Sequence, residues 1–414
     1  MLDEPLNALP TPGKQSLALR VKPNAEAKLR AGHPWLYDNA ITRISREGLP
    51  GDTAVVFDRK GRFLAAGLYD PASPIRVRLL VHRQAEQIGP QLFARRLSDA
   101  HAVRAPLLQS ETNGYRLIHG ANDGLPGAVI DRYDDTYVLK LYSTAWVPRL
   151  RALLDEVVSL VSPHRIVLRL SRQLQKRPQE LYGLTDGLVL LGNQLKGAVT
   201  FLENGLLFEA DVLHGQKTGF FLDQRENRQR VGDLAAGKTV LNAFSYSGGF
   251  SLYAARGGAL AVIDADQSVE ALTAARRHFA LNSGLPQVAA ARHKVLQGDV
   301  FAVLPELAAE GRQFDVVILD PPAFARRKSE VERALSAYGH LARLGLAVLK
   351  PGGTLVASSC SSQITAEMFY DLVNQAARGA GRPLQEMERT AHGLDHPITF
   401  REGAYLKTLF ARAP

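Results

Sequence analysis

The chain has 414 residues, 46% of them hydrophobic, a formal net charge of +9 and a pI near 9.6. That length predicts two or three domains with a well-buried core, and no apolar run approaches the roughly 20 residues of a membrane-spanning helix. The one cysteine, Cys360, excludes an intramolecular disulfide and a multi-cysteine zinc site and fits a reducing compartment, while the positive charge admits a polyanionic partner without requiring one.

Residues 1–15 are acidic and proline-punctuated, with no basic stretch ahead of an apolar one, so they read as a disordered leader rather than a secretory signal. Residues 17–21 alternate like a strand, 25–30 suit a short helix, and GHPWLYDNAI, from Gly32, forms a loop holding His33, Trp35 and Tyr37. Strands follow at 53–58, 63–69 and 75–81. Short strands with frequent turns predict a small β-barrel over 16–84. Arg76, Arg78, His82 and Arg83 cluster at its end, where they can contact a nucleic-acid backbone. A solvated strand face explains the same cluster equally well.

Residues 85–200 read as a connecting helix and a small α+β domain. The helix, 86–107, carries Arg95, Arg96, His101 and Arg104. A strand at 115–119 precedes turns at Asp123-Gly124 and Pro126-Gly127. A hairpin (128–131 and 137–142), a helix (147–161), a strand (166–170) and a basic loop (171–180) follow. Asn204-Gly205 is a strong hairpin turn opening the third region, 201–414.

In HGQKTGFFLDQRENRQRV, from His214, a glycine-punctuated loop runs into a helix, with Asp223 and Glu226 spaced as a capping box. A loop there can cover a pocket at the sheet's edge, which makes Lys217, Gln224 and Arg225 candidate contacts. A solvated helix start is the plain alternative. Next comes KTVLNAFSYSGGFSLYAARGGALAVID: strand 239–241, small-residue turn 242–249, helix 250–256, strand 259–263 and then Asp264. This is the opening unit of a nucleotide-binding α/β sheet, in which glycines admit a ligand to backbone N–H groups and the terminal carboxylate accepts from a ribose diol. Ser245, Tyr246 and Ser247 stand where a dinucleotide fingerprint has glycine. The turn therefore suits an adenosine with an amino-acid tail better than a pyrophosphate. A ligand-free βαβ turn remains open.

A helix at 268–281 and a strand at 295–297 lead to Gly298-Asp299, whose carboxylate can meet an adenine amino group or cap the helix 300–310. The continuous apolar run 314–319 predicts a central parallel strand. It stops at Asp320, and Pro321-Pro322 stiffens the loop that follows. Ligands of such sheets bind at this edge. A helix over 328–350 and a turn at 351–353 precede the strand 354–359, which ends at Cys360 within SSCSS. A lone cysteine is usually a small buried hydrophobe, yet this one shares the edge with Asp320, where a thiolate can act as nucleophile. Segments 384–389 and 405–411 should close the sheet as an antiparallel pair. His392 and His396 flank Gly393 and precede Pro397, which argues against a metal-binding helix.

The stretches AGHPWLY, DGLPGAVIDRY, GQKTGFFLDQRENR, VLNAFSYSGGFSLYAA, GDVF, LDPPAFA, LKPGG and SSCSS together resemble the PUA-domain-containing 23S ribosomal RNA (cytosine-5) methyltransferases, over nearly the whole chain. The resemblance implies an α/β, Rossmann-like class I methyltransferase domain at the C-terminus, behind a PUA-like barrel and a central α+β domain. It implies S-adenosylmethionine as cofactor, no metal, a cytoplasmic enzyme, ribosomal RNA as partner, and a homodimer, since family members often pair. Carried over by position, Asp264 would hold the ribose. Asn242, Ala243, Phe244, Ser245, Gly248 and Ala265 would surround the donor with Gln224, and Asp299 and Val300 would meet adenine. Cys360 would be the nucleophile, with Asp320 at the base and donor. Arg76, Arg78, Lys217, Arg225, Arg326 and Arg327 would hold RNA. One departure stands out: the two-cysteine pattern has a thiol directly after the prolines, where this chain has Ala323. Two rivals are methylation of a base nitrogen by the DPP loop, and an RNA-binding protein with a vestigial transferase fold.

Overall fold

Burial at Leu17, Leu19 and Val21, with exposure between, marks a strand with one face in a core. It belongs to a six-stranded sheet in a computed structural model that describes residues 4–414. The sheet order is Trp35–Tyr37, Ile75–His82, Phe63–Tyr69, Thr53–Phe57, Leu17–Val21, Ile41–Ile44. Neighbours are antiparallel except Leu17–Val21 against Thr53–Phe57. Two compact units divide the chain. One runs to Gly205 and adds Glu209–Leu222 and Leu394–Phe400; the other takes Leu206–Phe208, Asp223–Gly393 and Arg401–Pro414.

The first unit also holds a five-stranded sheet, in the order Val189–Leu191, Arg165–Leu170, Thr136–Leu141, Ala128–Tyr133, Gly114–His119. One apolar cluster serves both sheets: Leu68, Leu80, Phe93, Leu117, Trp146 and Leu153 all belong to it. The expected leader falls in part on residues 1–3, outside the described residues. From there on, Glu4–Leu6 forms a 3-10 turn and Leu6, 3% exposed, joins the cluster.

Arg104, placed by sequence in the connecting helix, is fully buried. It grips Asp123 through two bonds (2.9 and 2.7 Å) and donates to Asp395 O at 2.9 Å. Arg116 donates its backbone N–H to Asp395 Oδ2 (2.8 Å) and its guanidinium to Asp131 (2.7 and 2.9 Å). The rings of His119 and His396 lie 4.9 Å apart. These contacts fasten Leu394–Phe400 into the first unit.

The second unit is a seven-stranded sheet ordered Arg292–Gln297, Ala261–Asp266, Thr239–Ala243, Phe314–Leu319, Leu349–Ser359, Lys407–Ala413, Gln385–Thr390. The first five are parallel, and the last two run antiparallel as expected. Val316 to Leu319 are buried without alternation, as helices on both faces require. Two local expectations fail, and one element appears that the sequence reading lacks. Pro351-Gly352-Gly353 does not separate helix from strand, because Leu349–Ser359 runs through it with Gly352 at φ 74°. A helix, Pro286–Ala290, precedes Arg292–Gln297. The Asp223/Glu226 capping box does not form, since the helix begins at Arg225 and Asp223 Oδ2 accepts from Tyr405 OH at 2.7 Å.

Asp315 joins strands at the far end of this sheet. Burial alone would raise its pKa, but Thr239 Oγ1 (2.6 Å), Thr239 N (2.9 Å) and Lys350 Nζ (2.9 Å) all donate to it and bring it down to about 2. A depressed carboxyl stabilises the fold above its unfolded pKa of about 3.9, and that contribution disappears as pH falls through about 2. The wild type should therefore lose more stability than Asp315→Asn between about pH 4 and pH 2, read from urea midpoints. Partial exposure keeps the difference small.

Candidate active site

Thr239–Ala243 ends in a turn that regular structure cannot continue. Phe244 (φ 60°), Tyr246 (φ 48°) and Gly248 (φ 72°) are all left-handed, at a cost of roughly 1–2 kcal/mol for each non-glycine residue. Ser245 N donates to Ala265 O (3.1 Å), Tyr246 N to Asp266 Oδ2 (2.9 Å) and Gly248 N to Ser245 O (2.9 Å), which fixes the loop. A Cβ at Gly248 would stand 2.8 Å from Ala275 Cβ and 2.9 Å from Asp264 Oδ2. The helix Gly249–Arg256 starts here and points its N-terminus at the turn.

Asn242 Oδ1 and Ser245 Oγ are buried in this turn with no hydrogen-bond partner among the described residues. Each such atom costs about 1–3 kcal/mol. Two at one strained turn are matched to a polar ligand, so the residues fit the donor that the resemblance implies.

The ribose acid needs correction. Asp264 is completely buried. Its Oδ1 accepts from Asn242 Nδ2 (3.0 Å) and Ser251 Oγ, and its Oδ2 meets His293 Nε2 at 2.7 Å. His293 in turn stacks on Phe279 with ring centroids 3.8 Å apart. The strand does not stop at Asp264 but runs to Asp266. Asp266, half-buried at the strand's carboxyl end, is the carboxylate with access to the edge. Its oxygens take the N–H groups of Tyr246 and Ser268, both at 2.9 Å.

Asp299 is exposed and caps the helix Val300–Ala309 by accepting from Phe301 N at 3.1 Å. Val300 is buried in the first turn, and Ala243 and Ala265 offer only backbone. Half-buried rings run from the turn towards the proline loop: Phe244 to Phe301 at 6.1 Å, Phe301 to Phe324 at 6.2 Å. Gln224 is buried and its Oε1 accepts from Asn227 Nδ2 at 2.6 Å.

Phe314–Leu319 and Leu349–Ser359 pair in parallel, Leu319 beside Ala357, so Asp320 and Cys360 emerge at the same edge. Both are half-buried. Cys360 Sγ lies 4.0 Å from Pro321 O. The two loops are also tied directly. Ala325 N donates to Ser361 Oγ (3.3 Å), Ser361 Oγ bonds Tyr338 OH (3.0 Å), and Ser359 Oγ donates to the same phenol (3.0 Å).

The cationic candidates separate sharply. Arg326 and Arg327 are exposed just past the proline loop. Arg225 is not a surface contact: it is 1% exposed and bonded to Glu226 at 2.8 Å. Within the first unit, Arg78 is likewise buried, 3.8 Å from Asp70 and donating to Ile75 O and Tyr142 O. Burial lowers its pKa to about 10. Both arginines spend their donors inside the protein and cannot meet phosphate. Arg76 is half-buried against Asp38 at 2.7 Å, and Lys217 sits over the Phe221 ring at 4.3 Å. A cavity of about 310 Å³ lies beside Lys28, His33, Trp35 and Tyr37.

The family model of S-adenosylmethionine-dependent methyltransferases matches residues 174–412, and that of PUA-like domains matches 19–82. A ribosomal RNA large subunit methyltransferase of Deinococcus radiodurans is 48% identical over 406 residues, 97% of this chain and 98% of that protein. A ribosomal RNA large subunit methyltransferase I of Shewanella amazonensis is 39% identical over 401 residues, 96% and 99% of the two chains. A solved S-adenosylmethionine-dependent methyltransferase from Streptococcus mutans superposes with a TM-score of 0.80 at 23% identity, covering 95% of this chain and 99% of its own.

Proposed function

The chain belongs to the family of S-adenosylmethionine-dependent ribosomal RNA large subunit methyltransferases, and from that premise we propose that it forms 5-methylcytosine in 23S ribosomal RNA by way of a covalent bond from Cys360 to carbon 6 of the base. One observation carries the chemical part: a half-buried thiol lies beside Pro321, on the same sheet edge as Asp320 and the donor turn.

S-adenosylmethionine supplies an electrophilic methyl group when bound. Asp266 would hold its ribose, Asn242 Oδ1, Ser245 Oγ and the turn's backbone its amino-acid end, and Asp299 and Val300 its adenine. Carbon 5 of cytosine is a poor nucleophile. The electron pair of the Cys360 thiolate adds to carbon 6 and breaks the 5,6 double bond, which leaves carbon 5 enamine-like. Asp320 shares a proton with N3 and steadies charge developing on the ring. Once carbon 5 bears the methyl group, loss of its proton restores the double bond and expels the thiolate. With Ala323 in the second-cysteine position, that proton goes to water or to a group other than a thiol. The test is methylation of 23S ribosomal RNA followed by nuclease digestion and mass spectrometry. A 5-methylcytidine product is expected, and a base methylated on nitrogen overturns the assignment.

The target base must be unstacked to reach the sulfur, and exposed cations beside the proline loop suit the flanking phosphates. The double variant Arg326→Ala/Arg327→Ala is expected to weaken RNA binding about tenfold near physiological salt. It should also lower the salt slope of log K by about 2. An unchanged slope removes those residues from the RNA path. Arg76 and Lys217 remain proposed backbone contacts of the first unit. The cytoplasm, where ribosomal RNA is made, is the compartment this function requires. Among the described residues no helix is long and apolar enough to cross a membrane. Pairing into a homodimer rests on the family resemblance, and light scattering decides it.

A further inference from the structure

We propose that Lys407 is a positioning residue for Cys360: its ammonium sits beneath the turn that carries the sulfur, holds that turn in place and stabilises the thiolate. Lys407 opens the strand Lys407–Ala413 and pairs with Ser359, the residue before Cys360. It is 4% exposed. Its Nζ donates to Ser361 O (2.6 Å), Ile364 O (2.7 Å) and Tyr405 O (3.0 Å), which uses all three donors of an ammonium. Two of those carbonyls belong to the chain immediately after Cys360.

No carboxylate among the described residues lies within ion-pair distance of Lys407. A buried ammonium without a counter-charge is costly, and burial does lower its pKa, to about 8. The one charge that pulls it back up is that of Cys360. The interaction is reciprocal, so the ammonium favours the thiolate by the same amount. The other titratable groups at this turn are Tyr338, from the helix Val331–Ala347, and Asp320, from the proline loop. Tyr338 is pushed up by burial and stays a neutral phenol. Lys407 is the cation fastened directly to the turn that carries the sulfur. The lysine is invisible as a functional residue in sequence, because it stands 47 positions after Cys360 on the last strand.

The purpose of this arrangement rests on the cytosine-5 assignment, but its test does not. The full-length protein is treated with iodoacetamide from pH 5 to pH 9.5 without RNA or donor. The thiolate displaces iodide and forms the S–C bond, its proton having left to solvent. Intact mass then reports Cys360 alone, since the chain has no other cysteine. The wild-type half-point should fall below the about 8.5 of an ordinary thiol. Lys407→Met should raise it by about one unit and slow alkylation at pH 7 about tenfold, while Lys407→Arg keeps the wild-type half-point. A half-point unmoved in Lys407→Met, or moved equally in Lys407→Arg, overturns the proposal. If a thermal melt shows that neither variant folds, a wild-type half-point at or above 8.5 overturns it. Failure of the nucleophile assignment reads differently, as methyl transfer that persists without Cys360.

Discussion

Cys360→Ala is expected to cut the turnover of methyl transfer at least a thousandfold, roughly the scale on which removal of a covalent nucleophile acts. Without the adduct, carbon 5 keeps its aromatic, unreactive character whatever stands beside it. The change should be silent elsewhere. The thiol is half-buried and Sγ makes a long 4.0 Å approach to Pro321 O, so its loss should cost no more than about 1 kcal/mol of stability. Donor affinity by calorimetry should stay within about twofold, because the donor turn, Asn242 to Gly248, is a separate loop. Undiminished turnover in this variant would refute the thiol mechanism. It would direct attention to a base nitrogen held by the proline loop, with Phe324 as the stacking ring. Loss of donor binding as well would mean that Cys360 shapes the pocket instead of reacting in it.

A second pair of variants separates two acids that stand two residues apart. Asp266→Ala should weaken S-adenosylmethionine binding about tenfold to a hundredfold, the scale of a lost hydrogen bond to a charged group. Asp264→Ala should act on the fold. It strands Asn242 Nδ2, Ser251 Oγ and His293 Nε2, the first two buried, the third half-buried, and all aimed at the missing carboxylate. Breaking a buried charged network in this way costs about 3–5 kcal/mol, visible as a lower urea midpoint. The informative result is the contrast between calorimetry and melt in the two proteins. Native melting with abolished donor binding in Asp264→Ala would return the ribose to that residue.

These acids also show where sequence reading succeeds and where it stops. The order strand, small-residue turn, helix, strand, acid is local and was legible, as were the apolar run to Asp320, the antiparallel closing pair and the convergence of Asp320 with Cys360. Within AVIDAD, however, an acid was read as the end of the strand. A buried carboxylate is tolerated in mid-strand when donors surround it, and the donors here come from Ser251 and His293, distant in sequence. Arg225 and Arg78 failed for the same reason: a guanidinium looks solvated until its acceptors, such as Glu226 or Tyr142 O, are brought to it by tertiary packing. The capping box failed because Tyr405 took the Asp223 carboxylate. Lys407 carried no local signal at all, since its three acceptors are backbone carbonyls.

The loan of Leu394–Phe400 to the first unit has a consequence for synthesis. Arg104 and Arg116 wait for Asp395, and the strand Lys407–Ala413 must slot between two others already made. Neither half of the protein can therefore mature on the ribosome ahead of the other, although domains commonly do so in turn as they emerge. A nascent chain stalled before Asp395 would carry an open sheet edge and a buried Arg104 short of one acceptor together. Synthesis of Asp395 and of the strand Lys407–Ala413, rather than of anything before them, becomes the step on which both parts wait.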